Sequence, residues 1–220
     1  MKKILAFTLF VLMGVVISFS QDINFHAKAG VGFANFTGDA NGDPLFSYKV
    51  GVGMNIGLGG HWELHPDLFF VRKGTTSSIG ENIEGTLFTL KQTINANYLE
   101  LPIMAAYRIS LPSTNVVLNA GPYLAYGLNG KYKFEAGEEK TKINTFGKDA
   151  LKRFDCGLGV GVAFEFGKFI AGIDANFGLA NIAPSGKDND QPNMEVADVE
   201  FDKDSKIHNI AAHITIGYKF

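Results

Sequence analysis

Histidines, a lone cysteine and a run of carboxylates are the side chains of this chain best able to do chemistry. The five histidines, His26, His61, His65, His208 and His213, are the candidate metal ligands and general bases. No His-x-x-x-His pair among them is backed by a third ligand or by a cysteine cluster, so their spacing supplies no metal centre. Cys156, the one cysteine, can form no internal disulfide and reads as an inert small hydrophobe. Between Gly186 and Lys206 lie Asp188, Asp190, Glu195, Asp198, Glu200, Asp202 and Asp204. Hard cations such as calcium take several carboxylate oxygens, but this spacing matches no fixed loop motif. Gly51-Val52-Gly53 and Gly157-Leu158-Gly159-Val160-Gly161 look superficially like nucleotide-binding loops. Such a loop needs a strand before the glycines and a helix after them, whereas these glycines alternate with large apolar residues. Residue types and spacing therefore name no catalytic, cofactor-binding or metal-binding residue.

The elements that hold these residues are strands. From Phe46 to Leu58 the chain reads F-S-Y-K-V-G-V-G-M-N-I-G-L. Phe46, Tyr48, Val50, Val52, Met54, Ile56 and Leu58 share one face, because strand side chains alternate. Ser47, Lys49, Gly51, Gly53, Asn55 and Gly57 share the other. One face is thus apolar and the other small and polar, over a length that suits a tilted strand crossing a bilayer. The pattern recurs, and eight strands are expected, at about 24–36, 46–58, 61–73, 95–109, 116–130, 154–166, 169–179 and 207–220. Gly59-Gly60, Leu111-Pro112-Ser113 and Gly167-Lys168 make short turns. The connections after strands one, three, five and seven are expected to be longer and more polar.

This alternation of apolar and polar faces, with short turns at one end and long loops at the other, is the signature of a transmembrane β-barrel. Backbone groups cannot stay unpaired in hydrocarbon, so the sheet must close. The expected fold is all-β: an eight-stranded antiparallel up-and-down transmembrane β-barrel in the outer membrane. Lys28, Lys49, Glu63, His65, Asp67, Glu100, Arg108, Asp155, Glu165 and Asp174 fall on the inward face. Eight strands leave room for little more than side chains, so paired charges and water should fill the lumen. Tyr48, Trp62, Phe70, Tyr107, Tyr126, Phe164, Phe166, Phe169, Tyr218 and Phe220 fall mostly near strand ends, as interfacial girdles do.

Residues 1–20 form a separate piece. Lys2 and Lys3 precede an apolar run from Ile4 to Phe19, with Ser18 and Ser20 flanking a cleavage point before Gln21, the layout of a secretory signal peptide. The barrel domain is expected over 21–220. A formal net charge of −2 offers no basic field for nucleic acid.

Within this architecture the acidic segment 186–206 becomes an external loop, solvated or bridging lipopolysaccharide, with calcium as the alternative. A lipid hydrolase would need a serine and a histidine at the rim. His208 with Ser205 or Ser185 could approach there, but no third member assembles. The function expected is non-enzymatic: a structural or partner-binding protein acting through its external loops. A small-solute porin, an accessory subunit of a secretion or surface-assembly system and a rim-sited hydrolase are the alternatives.

Asn97-Tyr98-Leu99-Glu100-Leu101-Pro102-Ile103-Met104 resembles the Y-L-E-I-P strand of PorT-like outer-membrane barrels of the Bacteroidetes. So do Gly121-Pro122-Tyr123-Leu124, Phe154-Asp155 leading into Gly157–Gly161, Phe177-Gly178-Leu179-Ala180-Asn181-Ile182, and His65-Pro66-Asp67-Leu68 with Lys73-Gly74. In order they cover nearly the whole chain after the leader. The resemblance implies an outer-membrane β-barrel of the porin-like superfamily. It also implies contact with outer-membrane lipid and lipopolysaccharide. Tyr218-Lys219-Phe220 matches the aromatic carboxyl end through which barrel-assembly machinery takes its clients. Envelope proteins are the remaining expected partners; no cofactor is implied.

Overall fold

The computed structural model describes residues 23–40, 42–83, 86–136, 139–146, 150–184 and 205–220. Its strands are β1 (Ile23–Gly38), β2 (Asp43–Gly59), β3 (Trp62–Ile83), β4 (Thr86–Ser110), β5 (Asn115–Ala136), β6 (Glu139–Asn144), β7 (Phe154–Phe166), β8 (Phe169–Gly178) and β9 (Ile207–Lys219). All pairings are antiparallel. The order β4-β3-β2-β1-β9-β8-β7-β5, with β4 also paired to β5, closes the sheet into a ring of eight. β6 stands outside the ring, paired only along the far end of β5. The fold is thus the expected eight-stranded barrel with one accessory strand.

The parity read from sequence holds around the ring. Val31, Val50, Val52, Leu158, Ile173, Ile214 and Ile216 lie exposed on the outside. His26, Lys49, Asp67, Glu100, Asp155, Glu165 and His213 are buried inside. This is a water-soluble protein turned inside out, and only a hydrocarbon solvent makes it favourable. Ile56 departs from the pattern. It is buried, beside the register irregularity between Gly57 and Gly59. Trp62 packs edge-on against Tyr107 at 5.1 Å, and Phe169 against Tyr218 at 5.5 Å, at the short-turn end. Tyr48 stacks on Phe70 nearer the other end.

Two expectations about the connections are corrected. The links after β1 and β3 are short, because the strands run on where loops were expected. β3 extends to Ile83 and β4 starts at Thr86, so most of the polar stretch 74–94 is a continuous hairpin. Its threonines suit extended backbone, and an unbroken ladder runs from Gly74↔Asn95 to Ile83↔Thr86. At ~3.3 Å per residue the 25 residues of β4 run roughly 80 Å, far beyond what a bilayer needs. The outer parts of β3, β4 and β5, together with β6, therefore stand as a sheet beyond the barrel.

A bulge decides how that extension faces. Asn97 pairs with Asn129 but Tyr98 pairs with Gly127, so β5 carries one extra residue there. A bulge of this kind shifts parity by one. Below it Tyr126 points out and Ala125 in; above it Gly130 is buried and Lys131 exposed. Tyr132 and Phe134 thereby turn toward the barrel axis, and Lys131 and Lys133 turn away.

Candidate functional site

The lumen holds three tiers of ion pairs, each drawing side chains from more than two strands. At the short-turn end the guanidinium of Arg108 (β4) grips two carboxylates. Its Nε donates to Glu63 Oε1 and its Nη2 to Glu63 Oε2 at 3.0 Å. Nη1 donates to Glu165 Oε2 and Nη2 to Glu165 Oε1 at 3.3 Å. Lys219 Nζ donates to Glu165 Oε2 at 2.6 Å, and His65 Nε2 lies 2.6 Å from Glu63 Oε2. Paired forks of this kind are the strongest and most directional ion pairs available to a protein.

In the middle tier Asp67 receives His26 Nε2 at 2.8 Å and Lys28 Nζ at 3.3 Å. Lys49 donates to Asp174, which also has His213 Nδ1 at 3.7 Å. A cavity of about 50 Å³ lies among Lys28, Lys49, Asp67 and Asp174. Its lining is mixed, with Phe69, Met104 and Ile170 beside the charged groups, and it has room for a few waters, since one needs about 10–15 Å³.

The third tier is the most deeply enclosed. Lys73, 1% exposed, has its Nζ 2.7 Å from Glu100 Oε2 and 3.2 Å from Asp155 Oδ2. Asp155 also accepts from Tyr123 Oη at 3.2 Å and Asn209 Nδ2 at 2.9 Å, and Glu100 from Asn176 Nδ2 at 2.7 Å. The ammonium sits 4.4 Å from the Tyr123 ring centroid. Lys73 is not among the inward residues expected above, yet it shares the parity of Glu63, His65 and Asp67 on β3, and alternation alone directs it inward.

Above this tier the lumen changes character. Phe36, Val71, Ala96, Tyr98, Tyr123, Ala125, Phe146, Leu151, Ile182, Ala183 and Ile207 form one apolar cluster inside the mouth. Phe146 and Leu151 come from the β6–β7 connection, Ile182 and Ala183 from the β8–β9 connection. Backbone bonds from Leu151 N to Thr145 O at 3.1 Å, Lys152 N to Ile182 O at 2.9 Å and Ile182 N to Ile207 O at 2.9 Å tie these segments down. The expectation of charge and water throughout the lumen is therefore corrected. Its mouth at the long-loop end is stoppered by hydrocarbon, contributed by loop residues with no strand periodicity to reveal them.

The candidate chemistry resolves residue by residue. Among the described residues no group of three or more His, Cys, Asp or Glu side chains could hold a metal. His208 Nδ1 lies 3.0 Å from Ala180 O, and Ser205 O accepts from Asn181 Nδ2 at 2.9 Å. Ser185 and residues 186–204, the bulk of the acidic segment, lie outside the described residues, as does the leader.

The serine–histidine contact that the structure does make is unforeseen and lies in the lumen: Ser47 Oγ is 2.8 Å from His213 Nε2. With Asp174 beyond His213 this resembles a nucleophile triad. But Ser47 donates its only proton to Arg72 O, so His213 Nε2–H must donate to Ser47 Oγ. That is the reverse of the proton path a hydrolase uses. Ser47 is also fully enclosed, at 0% exposure. Gly51, Gly53, Gly157, Gly159 and Gly161 lie within β2 and β7, with no phosphate loop. Gly157 and Gly51 meet neighbouring backbone so closely that a Cβ would fall 2.0 and 2.2 Å from a carbonyl oxygen.

A closed ring of eight strands, apolar outside and charge-paired inside, defines an outer-membrane barrel protein. The family described as outer membrane protein beta-barrel domain matches residues 19–183. The chain belongs to that family, and its place is the cell outer membrane of a Gram-negative bacterium. Similar solved structures include Neisserial surface protein A, 14% identical over 91% of this chain and 100% of that one, with a TM-score of 0.43. Ail, the attachment invasion locus protein of Yersinia pestis, solved with the heparin analogue sucrose octasulfate, is 12% identical over 91% and 100%, with a TM-score of 0.39. The N-terminal barrel of Pseudomonas aeruginosa OprF is 11% identical over 90% and 98%, with a TM-score of 0.35. No curated protein sequence matches the chain.

Proposed function

We propose that this protein is a closed, non-enzymatic outer-membrane barrel whose work is to hold its sheet extension at the cell surface, where it meets lipid, lipopolysaccharide or an envelope partner. The observation that carries this reading is the lumen itself. Among the described residues, three tiers of ion pairs topped by an apolar stopper fill the lumen around a cavity of about 50 Å³, and a solute crossing the barrel would have to break them. The buried pairs make poor net stabilisers, but they fill the interior with directional contacts that tie β3, β4, β7, β8 and β9 together. In this reading residues 1–20 are a cleaved export leader, the short turns lie in the periplasm, and Phe220 presents the aromatic end to the assembly machinery. The ordered motifs around Tyr98-Leu99-Glu100, Gly121-Pro122 and Phe154-Asp155 support a PorT-like branch of the family.

The test is planar-bilayer recording of the purified barrel. The reading expects no stable conductance steps in 1 M KCl. Large, long-lived steps from the folded protein would make it a porin and overturn the reading.

A further inference from the structure

The outward face of the extension carries a group of cations. Starting at the upper edge of the apolar belt, Phe70, Leu99, Tyr126 and Phe154 are successive register partners across β3, β4, β5 and β7. The next outward row is Arg72, Asn97 and Asn129. Above it come Asn95, Lys131 and Asn144, then Thr93, Lys133 and Lys142. Lys91 faces Glu135 one row higher.

Lys133 and Lys142 are thus direct cross-strand partners of like charge. That arrangement is unfavourable on a sheet unless an anion sits between them. Among the described residues Glu135 is the acid on this face, and it is already engaged. The bulge at Leu128–Asn129 is what puts Lys131 and Lys133 here. Without it they would enter the mouth, and Tyr132 and Phe134 would face out.

We propose that Lys131, Lys133 and Lys142, with Arg72 below them, form a binding face for the phosphate groups of an anionic glycolipid of the outer leaflet. Charge complementarity and position carry the assignment. The cations begin one row above the aromatic edge of the lipid belt, the depth at which headgroup phosphates lie, and they point sideways along the membrane, where acyl chains already cover the barrel. A soluble partner approaching from above would meet the edge of the sheet and not this face. The inference rests on the reading that the long-loop end is the cell-surface end.

The test uses the folded full-length barrel in nanodiscs of phosphatidylcholine with and without bisphosphorylated lipid A. Wild type should enrich lipid A over phosphatidylcholine in its annulus, with the enrichment falling as salt rises. K131Q/K133Q/K142Q should reduce it roughly 100-fold, since each lysine at an anionic surface contributes about a factor of five. Lys168→Gln, at the short-turn end, should leave it unchanged. Heat-modifiable migration on gels verifies that each variant is folded.

Equal enrichment by wild type and the triple variant overturns the proposal, as does enrichment abolished equally by K168Q. Labelling of a K142C/C156S variant by a membrane-impermeant maleimide on intact cells separates the two levels. No labelling overturns the orientation together with this inference. Labelling with no lipid A preference overturns this inference alone.

Discussion

Removing the ammonium of Lys73 is the sharpest perturbation the structure offers. Lys73 is 1% exposed, and its partners Glu100 and Asp155 are 1% and 0% exposed. Met at this position keeps most of the stem that packs against Tyr98 and Tyr123 while deleting the charge. What remains are two carboxylates, fully enclosed, with only neutral donors from Asn176, Asn209 and Tyr123. Stranding a buried charge by removing its partner costs about 3–5 kcal/mol, and two acids share this cation, so K73M should fall at the upper part of that range. At ~1.4 kcal/mol per tenfold, the folded-to-unfolded ratio drops by roughly three orders of magnitude.

Urea unfolding in lipid vesicles measures this, read by the fluorescence of Trp62, the single tryptophan, which lies on the outer face at the short-turn end. The triple variant K73M/E100Q/D155N removes the acids as well and should recover most of the loss, since a neutral polar cluster retains the asparagine and tyrosine contacts. Two results would refute the reasoning: K73M within about 1 kcal/mol of wild type, or a triple variant no more stable than K73M. Either would mean that the third tier is not held by charge.

Other outcomes follow from the same geometry. A Cβ on Gly32 would lie 1.9 Å from Ala212 O across the β1–β9 seam, so G32A should hinder closure and lower the heat-modifiable fraction. Ile214 and Ile173 are outward partners, 64% and 63% exposed. I214R should cost about 2–4 kcal/mol of insertion stability if it lies near the bilayer midplane, measured by the same urea titration; a loss under ~0.5 kcal/mol would contradict lipid exposure. Ser47 should resist fluorophosphonate labelling in the folded barrel, and S47A should cost about 1 kcal/mol for its lost hydrogen bonds. In the extension, burial pushes the Tyr132 phenol up to about 12. An acid whose folded value is raised favours the folded state while protonated. The stability it supports is therefore complete below pH ~10 and lost as pH climbs from about 10 to 12. Y132F should erase that part of the alkaline slope in hydrogen exchange of the extension.

What the sequence determined alone is the direction each strand residue faces. Alternation has a period of two and needs only neighbouring residues, so Val50 against Lys49, or Leu158 against Gly157, declares lipid and lumen before any partner strand is known. The same local rule implied closure, since an open edge cannot survive in hydrocarbon. Tertiary structure decided what meets what. Lys73, Glu100, Asp155 and Asn209 lie far apart in the chain and converge only when register and ring closure are set. Arg108 likewise meets Glu63 only through the register of β3 with β4, and Glu165 only by reaching past β5 to β7. The bulge at Leu128–Asn129 inverts the parity of everything above it in β5, and no rule of alternation shows an inserted residue until the ladder with β4 is drawn. The apolar stopper was hidden for a related reason. Phe146, Leu151, Ile182 and Ala183 belong to connections without periodicity, and their burial depends on a mouth whose width is set by eight strands together.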